Sequence, residues 1–255
     1  MLNIRVIPCL DVKDGRVVKG IRFANLADQG DPARLARRYE REGADEIVIL
    51  DVSATADGRL ARSETIGRVR EEISIPLTVG GGVRTVEDGG FLLEAGADRV
   101  SINTAAVEQP ALLAGISSRF GAQCAVLALD ACRADSDDCA SGFEVLIHSG
   151  RERTGLDAAE WARRAAELGA GEILLTSFDR DGTRSGYDLE LIGAVRRAVQ
   201  VPIVASGGGA HPGHMRAAVD AGADAVLAAS IFHQGDWSIG RLKDRLQQLG
   251  VAVRR

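Results

Sequence analysis

Eight short runs rich in Val, Ile and Leu recur along the sequence, and their recurrence most constrains the fold. The runs are uniformly apolar, which is typical of parallel strands covered on both faces. Amphipathic segments with helical spacing separate most of them. Strands that alternate with helices in this way predict an α/β protein, a single (β/α)8 barrel. The predicted strands are 5–10, 46–51, 75–79, 99–102, 124–129, 172–176, 201–205 and 225–228, and the clearest helices are 32–42, 86–95, 156–168 and 212–221.

The two halves of the chain repeat one another. The segment IPL at 75–77, with glycines at 81 and 82, recurs 126 positions later as VPI at 201–203, with glycines at 207 and 208. Gly-Ala-Asp turns repeat at the same offset. We therefore predict two homologous half-barrels of four βα units each, in which Asp11 and Asp130 are matching residues. No linker separates the halves, so residues 1–255 are interpreted as one domain.

Composition and charge argue against several classes of function. The net charge of −5 does not favour a general nucleic-acid or membrane-surface partner. No apolar run approaches the roughly 18–20 residues that span a bilayer, and the N-terminal residues do not resemble a signal peptide. We therefore expect a cytoplasmic protein.

The four cysteines are interpreted as free thiols. Cys9 and Cys124 lie in apolar runs, where cysteine is usually a small core residue. Cys132 and Cys139 share a polar loop and could pair or bind a metal. A cytosolic setting and the absence of nearby histidines favour unpaired thiols instead.

Glycine-rich turns follow the third and seventh predicted strands, at 80–82 and 207–209. Small residues, Asn103-Thr104 and Ala229-Ser230, follow the fourth and eighth strands. Backbone N–H groups exposed at such turns can hold a phosphate. Two turns at symmetry-related positions predict a substrate with a phosphate at each end. The alternative is that the glycines only permit tight turns.

Asp11 and Asp130 each end an apolar run, at the strand end where α/β barrels place their chemistry. Paired carboxylates suit general acid–base catalysis, in which one group takes a proton while the other gives one. A lone aspartate at a strand end is often only a cap or turn residue, and the symmetry makes that alternative less attractive. The sequence shows neither a His-Glu metal motif nor a nucleophile triad.

Charged residues open four of the predicted strands: Arg5, Glu46, Arg99 and Glu172. They belong to the opposite end of the barrel. From spacing alone they are ordinary rim salt bridges, which contribute little to stability.

Four blocks of the sequence resemble the cyclase subunits of imidazole glycerol phosphate synthases. They are IPCLDVKDGRVVKG at 7–20, VGGGV at 79–83, VSINTAA at 100–106 and GEILLTSFDRDGT at 171–183. The resemblance extends from Leu2 to Arg254. It implies a (β/α)8 barrel and a lyase of histidine biosynthesis that needs neither a metal nor an organic cofactor.

The resemblance also implies a substrate and a partner. The substrate would be a ribulosyl-aminoimidazole carboxamide nucleotide with two phosphates. With ammonia it would give imidazole glycerol phosphate and an aminoimidazole carboxamide ribotide. A separate glutaminase subunit would dock at the bottom of the barrel, form a heterodimer with it and supply ammonia through it.

Roles follow residue by residue from the same resemblance. Asp11 and Asp130 would be the acid–base pair, and Lys19 would lie on a mobile loop that closes over substrate. Asp98 would face the glutaminase, and the four strand-opening charges would form the gate to the ammonia path, which reverses the preference for simple rim pairs. The remaining substrate-binding residues would be Gly82, Asn103, Thr104, Thr176, Asp181, Gly182, Ser206, Gly208, Ala229 and Ser230.

The sequence departs from the family pattern at three places. Arg99 stands where the family usually has Lys, and a guanidinium is bulkier and does not deprotonate. The segment 133–142 is longer and more acidic than expected, and the turn at 209–214 differs in its last residues.

Two rival functions remain. The first is the sister isomerase of the preceding pathway step, which usually carries a different sequence around the first aspartate. The second is a non-catalytic barrel that only regulates the glutaminase. A lost aspartate or degenerate phosphate turns would mark such a scaffold, and the sequence has neither.

Overall fold

The computed structural model describes residues 3–21 and 24–254, and eight of its strands form a closed parallel barrel. Each strand of the ring pairs in parallel with the next, and the last, β12, pairs with β1. This confirms the predicted (β/α)8 barrel. The barrel strands are β1 (Arg5–Lys13), β4 (Ile47–Asp51), β5 (Leu77–Gly80), β6 (Arg99–Ile102), β7 (Ala125–Arg133), β10 (Glu172–Ser177), β11 (Ile203–Ser206) and β12 (Ala225–Ala228). Leu2 and residues 1 and 255, the ends of the predicted resemblance and domain, lie outside the described residues.

Helices fill the connections between the barrel strands. Helix α1 begins as its sequence predicts, with Pro32 at its first position and the Asp31 carboxylate accepting a hydrogen bond from the Arg34 N–H at 3.0 Å. The helices are α1 (Pro32–Arg41), α2 (Ser63–Glu72), α3 (Val86–Glu94), α4 (Thr104–Glu108), α5 (Ala111–Phe120), α6 (Ala158–Glu167), α7 (Leu189–Ala198), α8 (Pro212–Asp220), α9 (Ser230–His233) and α10 (Ile239–Gln248).

Two antiparallel hairpins extend the strands that carry the candidate aspartates. Strand β1 continues into β2 (Arg16–Ile21) and β3 (Ala24–Gly30), and β7 continues into β8 (Phe143–Ile147) and β9 (Glu152–Asp157). The sequence reading missed both hairpins. Most of β9 is exposed on both faces, so it lacks the alternation of apolar and polar residues that identifies a strand.

These hairpins correct two predictions. Lys19 was expected on a loop, but it lies within strand β2. The helix expected at 156–168 begins only at Ala158, because Leu156 and Asp157 end strand β9. Asp157 instead caps that helix, and its carboxylate accepts a hydrogen bond from the Glu160 N–H at 2.9 Å.

The hydrophobic core has two layers. The larger one lies between the barrel and its helices, and a smaller cluster fills the barrel interior with side chains such as Ile7, Val48, Val126 and Leu174. The interior is thus packed, as in other barrels of this size. The cysteines are free thiols: Cys9, Cys132 and Cys139 are buried and Cys124 is half-buried. Among the helices of the described ranges, none is long and apolar enough to cross a membrane.

An arginine clamp ties helix α2 to the start of strand β5. Arg70 donates to the Asp98 carboxylate at 2.9 Å and to the carbonyls of Ile73 and Ile75 at 2.6 and 2.8 Å. The same Asp98 oxygen accepts a hydrogen bond from the Leu77 N–H at 2.8 Å. One guanidinium therefore fixes the loop that connects the helix with the strand.

The second half of the chain repeats this clamp. Arg196 donates to Asp224 at 3.0 Å and to the carbonyls of Val199 and Val201. The Asp224 carboxylate accepts from the Ile203 N–H at 2.9 Å. Each contact has its counterpart 126 positions earlier in the sequence, which supports the predicted pair of half-barrels.

We expect Arg70→Met and Arg196→Met to lower the free energy of unfolding by similar amounts, about 1–3 kcal/mol each, because each change removes the guanidinium that donates to two carbonyls and a carboxylate. Methionine keeps the apolar stem of the side chain. Urea unfolding followed by circular dichroism measures the effect. Arg245→Met, which removes only an exposed hydrogen bond to Gln248, is the control and should change stability by about 0.5 kcal/mol at most. Strongly unequal losses would contradict the equivalence of the two clamps.

Candidate active site

A cavity of about 310 Å³ opens at the carboxyl ends of the barrel strands. Every residue predicted to act in catalysis or substrate binding lines it, although these residues come from all parts of the chain. The set comprises Asp11, Lys19, Gly82, Asn103, Thr104, Asp130, Thr176, Asp181, Gly182, Ser206, Gly208, Ala229 and Ser230.

Asp11 lies near the end of strand β1 and is buried. Its carboxylate accepts one hydrogen bond from the Cys9 thiol at 3.4 Å and another from the Lys19 ammonium at 3.1 Å. The same ammonium lies 3.5 Å from the Asp181 carboxylate. Burial alone would lower the pKa of Lys19, but the charges of Asp11 and Asp181 outweigh burial and raise it. Lys19 therefore stays protonated between the two carboxylates.

Asp130 lies on strand β7 in a different environment. Its carboxylate accepts a hydrogen bond from the Asn103 amide at 2.9 Å. Burial, and then the nearby charge of Asp181, raise the pKa of Asp130 to about 6, against the opposing effect of hydrogen bonds from Thr176 and Asn103. The two aspartates thus share one cavity but differ in their partners, because Asp11 has a cation beside it and Asp130 has an amide.

Both glycine-rich turns pack closely against neighbouring backbone. A Cβ atom at Gly82 would lie 1.8 Å from the carbonyl oxygen of Arg59, and one at Gly208 would lie 2.3 Å from that of Gly186. Both glycines also have positive φ, at 71° and 87°. Packing alone therefore requires glycine here, and phosphate binding by these turns is a separate prediction.

The sequence reading missed an ion pair beside the first of these turns. Arg59 binds the buried Asp51 carboxylate through two nitrogens, at 2.7 and 3.0 Å, and donates to the Ser53 hydroxyl at 2.7 Å. This fork holds the 52–62 loop against Gly82. A signal was present, since Asp51 ends an apolar run as Asp11 and Asp130 do.

Other cavity residues gave no such signal. His148 and Ser149 reach the cavity from the tip of the β8–β9 hairpin, and Arg184 reaches it from the loop after β10. The hairpin was not recognised, so nothing placed its tip at the mouth.

A ring of alternating charges closes the other end of the barrel. Arg5 and Arg99 each lie 2.9 Å from a Glu46 oxygen, and Arg99 lies 3.0 Å from Glu172, which Arg5 also contacts. Glu46 accepts a further hydrogen bond from the Thr78 hydroxyl at 2.6 Å. Burial raises the pKa of Glu46. Because the carboxylates are buried and each contacts both arginines, the four residues differ from exposed rim pairs.

Asp98 lies next to this ring in the sequence and is half exposed, with 51% of its side chain accessible. Its inner oxygen is part of the Arg70 clamp. Within the part of the chain that the structure describes, no group of three or more His, Cys, Asp or Glu side chains is arranged to hold a metal ion.

Comparisons with known proteins agree on one family. A family model described as "Histidine biosynthesis protein" matches residues 5–238. The imidazole glycerol phosphate synthase subunit HisF of Micrococcus luteus is 58% identical over 254 residues, which is 99% of each chain. The proteins of the same name from Salinispora tropica and Streptomyces coelicolor are 57% and 56% identical over 253 residues, again 99% of each chain.

We expect Asp130→Asn to stabilise the fold at pH 8, by about 1–2 kcal/mol. Because the pKa of Asp130 rises from 3.8 to about 6 on folding, the folded state binds more protons than the unfolded state between these values. Stability is therefore lost as the pH rises through this window, and the cost is fully present above it. Asparagine removes that cost.

Urea unfolding at pH 4 and pH 8 measures the difference, which should be larger at pH 8. Asp137→Asn, at an exposed residue of the loop between β7 and β8, controls for the loss of one negative charge. A loss of stability at both pH values would contradict the prediction.

Proposed function

The chain belongs to the family of imidazole glycerol phosphate synthase subunit HisF, and we propose that it is the ammonia-dependent cyclase of this enzyme. Its substrate is the bisphosphorylated ribulosyl-aminoimidazole carboxamide nucleotide, and its products are imidazole glycerol phosphate and the aminoimidazole carboxamide ribotide. One observation carries the proposal: both aspartates and both glycine-rich turns line a single cavity. Because its substrate and products belong to amino-acid and nucleotide synthesis, we place the reaction in the cytoplasm.

The two aspartates are suited to different halves of the acid–base work. Condensation of ammonia with a ketone requires a proton for the carbonyl oxygen and removal of a proton from nitrogen. The raised pKa of Asp130, about 6, makes it the better proton donor. Asp11, which accepts hydrogen bonds from Cys9 and Lys19, is the better acceptor. Asp130 is therefore the acid and Asp11 the base of this step.

Lys19 changes partners in this scheme. Its ammonium bridges Asp11 and Asp181 in the structure. The Asp11 carboxylate, which is the proposed base, is therefore already paired with a cation. A substrate phosphate is a stronger competitor for the ammonium than a single carboxylate, because it carries more charge. Substrate binding draws Lys19 from Asp11, which frees the Asp11 carboxylate to take a proton.

The charge ring at the bottom acts as the gate for ammonia. Arg99 contacts both carboxylates of the ring, Glu46 and Glu172. Since a guanidinium does not deprotonate, the gate cannot open by loss of charge from Arg99. It opens when the Arg99 side chain rotates away from both carboxylates.

The partner is a glutaminase subunit that covers this bottom face and delivers ammonia at the ring. The name of the relatives, a synthase subunit, supports a partner. Asp98 suits the contact because half of its side chain remains accessible although one oxygen belongs to the Arg70 clamp.

Asp11→Asn and Asp130→Asn should each lower kcat for the nucleotide with excess ammonium about 10²–10⁴-fold, because each removes one partner of the proton transfers. The assay follows loss of substrate absorbance and formation of both products by the purified chain at alkaline pH. Asp137→Asn, at an exposed residue of the loop between β7 and β8, is the control and should keep wild-type kcat. Near-normal turnover by either active-site variant would remove that aspartate from the mechanism.

The same assay separates the rival functions. A well-folded wild-type chain that does not turn over the ketose nucleotide would contradict the cyclase. Turnover of the aldose form would then support the isomerase. Inactivity toward both nucleotides would support the scaffold.

Asp98→Asn should weaken binding of the glutaminase about tenfold and leave ammonium-dependent turnover unchanged, since it removes one charge from the proposed interface. Asp224→Asn is a matched control, because Asp224 makes the same contacts in the second clamp. The two variants should lose similar stability, and only Asp98→Asn should raise the Kd in titration calorimetry. Equal weakening by both variants would trace the effect to the clamp, and unchanged affinity in both would remove Asp98 from the interface.

A further inference from the structure

The tip of the β8–β9 hairpin adopts an unusual backbone conformation at the mouth of the cavity. Three successive residues, His148, Ser149 and Gly150, have positive φ angles of 52°, 58° and 78°. Residues other than glycine rarely adopt this conformation, and it persists where surrounding contacts impose it. Besides the ion pairs of the His148 ring with Glu108 and Glu152, the tip makes one contact on each side of strand β7.

The first contact orients a hydroxyl. The His148 N–H donates to the Thr104 hydroxyl oxygen at 3.0 Å. Thr104 is the first residue of α4 and lines the cavity. A hydroxyl whose oxygen accepts a hydrogen bond has its own proton free for another acceptor, and here the donor fixes the position of the oxygen.

The second contact anchors the tip. A Cβ atom at Gly150 would lie only 2.1 Å from the ring of Phe178, so the ring packs directly on the glycine backbone. Phe178 is held in turn by a hydrogen bond from its N–H to the Ala131 carbonyl on β7, at 2.8 Å. The ring therefore fixes the height of the tip above strand β7, which also carries Asp130.

The two hairpins over the mouth contribute different hydrogen-bond donors to the cavity residues. Hairpin β2–β3 brings the Lys19 side chain to Asp11, whereas β8–β9 brings a main-chain N–H to Thr104. A main-chain donor depends on the path of the backbone and so on the Phe178 contact. We infer that Phe178 is a positioning residue for phosphate binding: through Gly150 and the His148 N–H, its ring holds the Thr104 hydroxyl toward the substrate phosphate.

This inference rests on the proposed function for the identity of the ligand. It adds a link between the loop after strand β10 and the start of helix α4. Phe178 follows strand β10 and Thr104 follows strand β6, and these two strands pair with β7 on either side of it. Packing on one side therefore sets a hydrogen bond on the other.

The test compares Phe178→Ala with Phe120→Ala in the full chain. Phe120 is a matched control because its ring also packs on a glycine, Gly90, where a Cβ would lie 3.0 Å from it, but in the outer helical layer. Phe178→Ala should raise KM for the bisphosphorylated nucleotide about tenfold and change kcat about threefold at most, as expected when a binding hydrogen bond is lost. Phe120→Ala should leave KM unchanged, and Phe178→Tyr should restore it.

Inorganic phosphate provides a readout that does not need turnover. Titration followed by the NMR signal of the backbone amide of residue 104 should give a Kd about five- to tenfold higher in Phe178→Ala than in wild type. In a Thr104→Val background, Phe178→Ala should have no further effect on KM or Kd, because the hydroxyl that it positions is gone. The combination distinguishes positioning from general loosening.

Unchanged KM and Kd in Phe178→Ala would overturn the inference, as would equal weakening in Phe120→Ala or additive effects with Thr104→Val. If the wild type binds phosphate in a Phe178-dependent way but does not turn over the nucleotide, the proposed function fails and the positioning role stands. If turnover is normal and the Phe178 variants behave like wild type, only the inference fails.

Discussion

Closure of eight parallel strands into one ring is the constraint on which the rest of the structure depends. In a closed parallel barrel all carboxyl ends meet at one rim and all amino ends at the other. Asp11 and Asp130 are far apart in the sequence, yet both line one cavity at the first rim. Arg5 and Glu172 meet at the second rim for the same reason. Because both halves share this ring, we propose that residues 1–255 form one domain.

The two rims treat buried charge differently. At the bottom, two arginines and two glutamates share contacts, so each carboxylate has two cations beside it, although burial still raises the pKa of Glu46. At the mouth, the Lys19 ammonium forms ion pairs with Asp11 and Asp181, while Asp130 has no cation among its contacts with described residues. Burial and the charge of Asp181 raise the pKa of Asp130. A barrel of this kind can keep one end electrostatically balanced and the other reactive, which is a common arrangement in active sites.

The sequence predicted the barrel because uniformly apolar runs have few alternatives once they alternate with helices. It also predicted Asp11, Asp130 and the two glycine-rich turns at one rim, since strand ends converge in any such barrel, whereas Lys19, Asp181 and Gly182 followed from the family resemblance. It did not predict the hairpins: β9 is polar on both faces, and its pairing with β8 depends on tertiary contacts. His148 was therefore not placed at the mouth. The assignment of Lys19 to a loop came from the family resemblance, and the structure has it in strand β2. Arg59 was missed because the loop that carries it has no periodic pattern.

The arginine contacts at the bottom of the barrel differ greatly in sequence separation. Each clamp joins residues 28 positions apart, whereas the contact between Arg5 and Glu172 spans 167 positions. A short loop costs less entropy to close than a long one, so each clamp can form within its own half of the chain. The charge ring can form only when the first and sixth barrel strands already share one sheet. Burial of the Glu46 and Glu172 carboxylates therefore indicates that the barrel has closed.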